Sequence, residues 1–473
     1  MLLRQTLLYM PAQLIGPLAL FVAAVLWTHL LPPDAYGTLM LIMAAQELIF
    51  GFALSWLSLT VLRYRDTLEK GEGAARFRRA ETGLLYGSIL AQIAGVAILM
   101  PFLDRATPAL ILMTALYVVS RSLLNYLSER ARAGGAIVSY TIAQTAGPTL
   151  GFALGLLLTR FFGASPTVAI AGYAVVQFAA LPFVWAGSGA SAVPGRPTKE
   201  LLTPALRYGA PLLLSSIVTW ISINGIRVVV EKMQGAVELG LLSVGWGLGQ
   251  RVAATIAMLV TAAAFPLAVR SFNTGDRDGA LDQLAQNAVL LVALLAPATV
   301  GVLLIDDQLV RLAVAEPYWA TTIAILPYAL LSGVARNVRM HYVDQLFLLH
   351  EQARWITALT VAEAAATIAG AVIGVMTHGL LGAAIGASLA HLVIALYVFA
   401  QGVTKLGLRV RWNDLARIGI ATAAMGLGVK LLPVAATIMG VATAVAVGAA
   451  IYGAALLALF PDIAMRARRA ARA

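Results

Sequence analysis

Fourteen apolar runs of spanning length, separated by short polar breaks, constrain this chain more than any other feature of its sequence. They fall near 8–31, 38–61, 82–103, 109–128, 136–160, 167–187, 208–230, 240–266, 285–305, 320–340, 355–377, 380–400, 416–432 and 434–460, and are numbered spans 1 to 14. A run of ~20 residues matches the hydrocarbon core of a bilayer, and at that depth a helix satisfies its own backbone. Composition agrees: hydrophobic residues are 60% and charged residues 12% of 473, with a mean hydropathy of +0.86. Soluble domains carry about 25% charge. The expected fold is all-α and integral to the membrane, with little chain left for a soluble domain. The absence of cysteine excludes disulfides, thiol nucleophiles and thiolate metal sites. The start, MLLRQTLLYMPAQLIG, has one arginine and no small-residue cleavage site, so it reads as a retained first span.

The first clear break is GSGASAVPGRPTKELLTPALR, residues 187 to 207, rich in Gly, Ser and Pro and carrying three cations. It reads as an exposed linker. It divides the chain into an N-terminal six-helix lobe (1–190), a linker (191–207), a second six-helix lobe (208–402), and an extra helix pair with a basic tail (403–473). If residue 1 lies in the cytoplasm, 25 of the 33 Lys and Arg fall on cytoplasmic segments. Six lie at the opposite ends (Arg105, Arg160, Arg227, Lys232, Arg311, Lys430), and Arg121 and Arg251 lie inside spans. The positive-inside rule therefore places both termini in the cytoplasm, and the net charge of +11 is a topology signal rather than a nucleic-acid footprint.

Aligning Gly37 with Gly240 pairs PDAYGTLMLIMAAQE with AVELGLLSVGWGLGQ: each is a short external turn, a glycine and a helix start. Because each lobe holds an even number of spans, the lobes are expected to be parallel pseudo-repeats around a central cavity.

Four segments carry a family resemblance. LPPDAYGTL resembles the first-loop signature of polysaccharide flippases of the multidrug/oligosaccharidyl-lipid/polysaccharide (MOP) exporter superfamily, and GAVELGLLSVG resembles the matching element of the second lobe. AEPYWATTIAILPYALL (315–331) resembles the segment that opens span 10, and THGLLGAAIGASLAHL the turn between spans 11 and 12. The resemblance implies two six-helix lobes facing a cavity that opens alternately to either side, with two extra C-terminal helices. It also implies a bacterial inner-membrane flippase that moves a polyprenyl-diphosphate-linked oligosaccharide for surface polysaccharide synthesis, such as O-antigen lipopolysaccharide or exopolysaccharide. Its partners would be that lipid-linked substrate, membrane lipids and polysaccharide polymerase or assembly proteins. No cofactor, metal or nucleic acid is implied.

Ionisable groups at membrane depth cost about 2.5–3.5 kcal/mol each on insertion scales, so they mark pathways or pairs. Glu47 in span 2 and Arg251 in span 8 lie at similar depth, with Gln46 beside the first. One reading gives Arg251 a diphosphate in the cavity, with Glu47 pairing it when the cavity is empty; the other is a structural ion pair. Arg227 and Asn224 share a face of span 7 by their spacing and can receive a headgroup at the outer side, or the arginine simply snorkels. Arg121 in span 4 has the same two readings, while Arg336 and Arg339, ending span 10, read as topology anchors. Glu363 and His391 lie at comparable depth on spans 11 and 12, as a proton-coupling site or a satisfied buried pair. The small-residue ridges Gly147/Gly151/Gly155, Gly245/Gly249 and Gly382/Gly386 allow close helix approach.

No Walker A, HExxH or nucleophile constellation is present, and GWGLGQ lies inside an apolar helix, so the chain is not expected to be an enzyme. Two rival functions remain. A drug or small-molecule antiporter of the same superfamily should favour carboxylates in its cavity. A polysaccharide polymerase or ligase should carry a large external loop, whereas the longest here, DDQLVRLAVAEPYW (306–319), is short and acidic.

Overall fold

In the computed structural model, which describes residues 2–69, 73–103, 106–273, 276–350 and 352–461, the secondary structure of the described residues is helical throughout. The basic tail RARRAARA lies outside these residues. Every expected run has a helix beneath it. Spans 1 to 4 are Leu2–Thr28, a helix from Pro33–Phe50 continuing through a π turn at Gly51–Ser55 into Trp56–Leu68, Ala74–Leu99 and Pro108–Ala133. Span 5 is Ile137–Ala146, a π turn at Gly147–Gly151 and Phe152–Phe162, followed by span 6, Pro166–Ser188. Spans 7, 8 and 9 are Lys199–Gln234, Ala236–Asn273 and Arg277–Leu304. Span 10 is Trp319–Val338, a third π turn at Arg339–Val343 and Asp344–Leu349. Spans 11 and 12 share the stretch Ala353–Lys405, which breaks at His378 and at Gly379 with φ 60°. Spans 13 and 14 are Trp412–Lys430 and Ile438–Leu459. Among the described residues, ten stretches are long and apolar enough by themselves to cross a membrane, and the protein is multi-pass.

Local chemistry fixes the ends of these helices. Thr107 and Ser165 accept from Leu110 N at 3.2 Å and Val168 N at 3.3 Å, each just ahead of a proline at the first helical position. An oxygen cap there satisfies an orphan N–H, and proline loses nothing where no intrahelical bond is due. Span 6 stops at Gly189 in the left-handed region (φ 73°), which glycine enters without a Cβ clash.

The chain forms two compact units, residues 1–240 and 241–473, so span 7 and the first residues of span 8 belong to the first unit. In the first unit, Leu54, Leu57, Phe77, Leu124, Leu127 and Val184 form a buried core beneath spans 2, 3, 4 and 6. Spans 5 and 6 approach closely enough that a Cβ on Gly172 would fall 2.3 Å from Gly155 N. The repeated glycines of the two aligned turns also touch: a Cβ on Gly37 would sit 2.2 Å from Ala236 O, and one on Gly240 1.8 Å from Pro33 O. In the second unit, Gly374 and Gly382 face each other across spans 11 and 12. The extra pair packs on span 9, where Tyr452 donates to Ala293 O at 2.6 Å and Met425, Val429 and Ala444 bury against Ile305. Large apolar side chains such as Leu90, Phe161 and Met376 stand exposed, as lipid contact requires.

Candidate functional site

The polar face of the first unit is built on spans 2, 4 and 7. Glu47 lies about four turns into span 2, and it is exposed while its neighbours Gln46 and Ile49 are buried. Gln46 donates Nε2 to Ser122 Oγ at 3.3 Å, fixing the rotation of span 2 against span 4. Tyr117, buried one turn before Arg121, lies within electrostatic range of both Arg121 and Glu47. Arg121 is half-buried. Span 7 closes on span 2 where Trp220 donates Nε1 to Ala44 O at 2.9 Å. One turn further on, the guanidinium of Arg227 donates to the buried Asn224 Oδ1, so the two residues do share a face.

The second unit holds a polar chain across spans 8, 10, 12 and 11. Gln250 donates Nε2 to Ser332 Oγ at 2.7 Å, Ser332 Oγ lies 2.7 Å from His391 Nδ1, and His391 Nε2 lies 3.3 Å from Thr367 Oγ1. Ser332, His391 and Thr367 are buried, and Arg251, half-buried, is the next residue after Gln250. Glu363, also buried, is ion-paired by Arg339 at 3.1 Å, and Arg339 lies 3.5 Å from Asp344. Arg336 lies within electrostatic range of Glu363. Sequence reading placed Arg336 and Arg339 at the rim as anchors; Arg339, which opens the π turn Arg339–Val343, is buried and paired with the carboxylate of span 11. A π turn rotates the following residues relative to an α-helical register, and no periodicity count shows it.

A second ionic cluster, at the other end of span 4, was not legible as a site. Arg130, fully buried, pairs with Glu81 at 2.7 Å and with Glu69, and donates to Gly189 O at 3.0 Å. Tyr126 donates to the same Glu81, and Arg65 reaches Glu69 at 3.0 Å. Burial pushes the Glu69 carboxyl up, but the Arg130 and Arg65 guanidinia outweigh it and hold the group below its ordinary value. In sequence, Arg130 was one of several cytoplasmic cations; the available signal was an arginine and a glutamate, Arg130 and Glu81, each within two turns of a span end. Among the described residues, no group of three or more histidines and carboxylates converges to hold a metal ion.

The two units share a device: a span-2-type glutamine donating to a span-4-type serine, Gln46 to Ser122 and Gln250 to Ser332. The same contact recurs in both halves of the chain. The profile of the polysaccharide biosynthesis protein family matches residues 28–323, more than half of the chain. The chain belongs to that family. Its fold is similar to "Lipid II flippase MurJ, inward closed conformation", with a TM-score of 0.76 at 13% identity over 97% of this chain and 99% of that one. It is also similar to an inward-facing multidrug resistance MATE family transporter of the MOP superfamily, with a TM-score of 0.55 at 14% identity over 83% of this chain and 94% of that one. A MOP superfamily transporter from Pyrococcus furiosus Vc1, described by a binding pocket of reverse polarity, gives 0.53 at 15% identity, covering 85% and 95%. No curated protein matches. The chain, a member of the polysaccharide biosynthesis protein family, thus shares its fold with a flippase and a transporter of known structure.

Proposed function

We propose that this protein flips a polyprenyl-diphosphate-linked oligosaccharide from the cytoplasmic to the external leaflet of a bacterial inner membrane, by alternating access, with both termini cytoplasmic. The observation that carries the reading is the family match together with an arginine inside span 8, Arg251, and a second, Arg227, near the end of span 7. A guanidinium offsets the cost of bringing a diphosphate into low dielectric, and its planar fork bonds two phosphate oxygens at once. The MurJ neighbour is a lipid II flippase, and a lipid-linked substrate is in keeping with that likeness. In this reading Arg251 and Arg227 bind the diphosphate, with Asn224 orienting Arg227. Glu47, Gln46 and Arg121 line the polar face of the first unit and bond sugar hydroxyls or hold the empty site neutral. Glu363 and His391 are the candidate ion-coupling residues: Arg339 ion-pairs Glu363 at 3.1 Å, and His391 Nδ1 lies 2.7 Å from Ser332 Oγ.

Charge movement supplies a drive. Carrying two negative charges outward across ~100 mV yields roughly 4–5 kcal/mol, at about 2.3 kcal/mol per charge. Catalysis is not part of this function.

The test is reconstitution. Purified protein in vesicles, given a fluorescent polyprenyl-diphosphate disaccharide on one leaflet, is expected to expose it to a membrane-impermeant quencher on the other. Wild-type protein that leaves the lipid in place, yet extrudes organic cations against a proton gradient, would contradict the reading and favour the antiporter.

A further inference from the structure

A cavity of about 620 Å³ lies at the basic end of the first unit, away from the membrane-depth residues, where the start of span 3 meets the linker before span 7. Four cations line it, Arg76, Arg79, Arg196 and Lys199, together with Gly195 and Thr198. The linker is held in place rather than draped. Gly195 N donates to Arg79 O at 2.6 Å, Thr82 Oγ1 to Ser191 O at 2.9 Å, and Trp185 Nε1 to the same carbonyl at 3.0 Å. Gly195 O lies so close to span 3 that a Cβ on Gly83 would fall 2.0 Å from it.

Among the described residues, none of the four cations has a hydrogen-bond or ion-pair partner on its side chain. The nearby carboxylates of Glu69 and Glu81 are already held by Arg65 and Arg130. The long helix of span 7 begins at Lys199, and Thr198 before it makes no side-chain cap, so helix-end N–H groups add to the positive field there. Four like charges around one cavity make a local positive potential that attracts an anion.

We propose that this cavity binds a diphosphate-class polyanion and so clamps the linker to span 3, at a site separate from Arg251 and Arg227. The shared chemistry is two phosphate groups, or their equivalent negative charge, contacted by Arg79 and Arg196 with Lys199 and Arg76 at the sides. It comes either from soluble diphosphate or from headgroups of anionic lipid.

The experiment uses the full chain in phosphatidylcholine nanodiscs and reads the rate of Lys199 acylation by mass spectrometry, with Lys430 on span 13 as internal control. Inorganic diphosphate at saturation is expected to slow Lys199 labelling about tenfold and leave Lys430 unchanged, with the midpoint moving to higher concentration as salt rises. If the source is lipid, nanodiscs containing phosphatidylglycerol give the protection with no diphosphate added; if it is soluble, they do not. The double variant R79Q/R196Q is expected to need about tenfold more anion. Wild-type Lys199 that labels at the same rate with either anion, or protection shared equally by Lys430, overturns the proposal. This readout needs no transport, so it fails or stands apart from the flippase reading.

Discussion

Gln250 donates to Ser332 at 2.7 Å, and the same serine hydroxyl lies 2.7 Å from Nδ1 of His391, so one small side chain joins spans 8, 10 and 12. Ser332→Ala leaves the buried His391 and the half-buried Gln250 without that partner. An unsatisfied buried polar group costs ~1–3 kcal/mol, whereas an average interhelical hydrogen bond in a membrane protein contributes only ~0.6 kcal/mol. Ser332→Ala is therefore expected to lower the melting temperature in detergent by clearly more than Ser122→Ala, which loses only the 3.3 Å bond from Gln46. Equal melting temperatures would show that the serine is not a junction.

Arg130 should be the most sensitive charge in the first unit. It is fully buried between Glu81 and Glu69, and its removal strands the buried Glu81, whereas Glu69 keeps Arg65. Breaking one side of a buried pair costs ~3–5 kcal/mol, while replacing both partners by neutral groups of similar size is often close to neutral. Arg130→Ala is expected to abolish most folded protein by fluorescence size-exclusion, and the double replacement Arg130→Met with Glu81→Gln to recover much of it.

Glu69 gives the end of span 2 a defined pH response. Its folded carboxyl lies below the ordinary value because Arg130 and Arg65 outweigh the upward push of burial. A depressed carboxyl contributes stability that is present above the unfolded value, about pH 4.3, and is lost as pH falls through the folded value. Melting temperature should therefore drop on acidification below about pH 4.3, and Glu69→Gln should lower it at neutral pH while flattening that drop.

The aligned glycines Gly37 and Gly240 are each other's neighbours, with a Cβ on Gly37 only 2.8 Å from Gly240 N. The clash is with backbone, which cannot swing aside, so Gly37→Leu is expected to cost more than the ~1–3 kcal/mol of ordinary overpacking. Gly51, in the same span with nothing within 4 Å of its Cβ position, is the control. Gly51→Ala should be tolerated, and comparable loss in both variants would remove the contact from the account.

Hydropathy and turn chemistry made the fold legible: each of the fourteen apolar runs became a helix, and the break at His378 and Gly379 divides spans 11 and 12 where the sequence divides them. The glycine of LPPDAYGTL and its repeat were readable as a pair, but not as a contact, because contact depends on packing that a linear alignment leaves open. The side-chain partners were less readable. Depth put Glu363 and His391 on neighbouring helices, but the partners depend on helix rotation: Arg339 ion-pairs Glu363, and Ser332 and Thr367 flank His391. Arg130 and the linker cavity were hidden for another reason. At a basic membrane rim, a cation that orients the chain and a cation that binds something have the same sequence signature.

The central claim is tested most directly in the native host. The gene is deleted, and lipid-linked oligosaccharide is measured on each face of the inner membrane, with the wild type or an Arg251→Ala variant supplied back at equal protein level. The account predicts that surface polysaccharide disappears while the lipid-linked precursor accumulates on the cytoplasmic face, and that the wild type but not Arg251→Ala restores export. Precursor that reaches the external face of the deletion strain and remains there unpolymerised would contradict it.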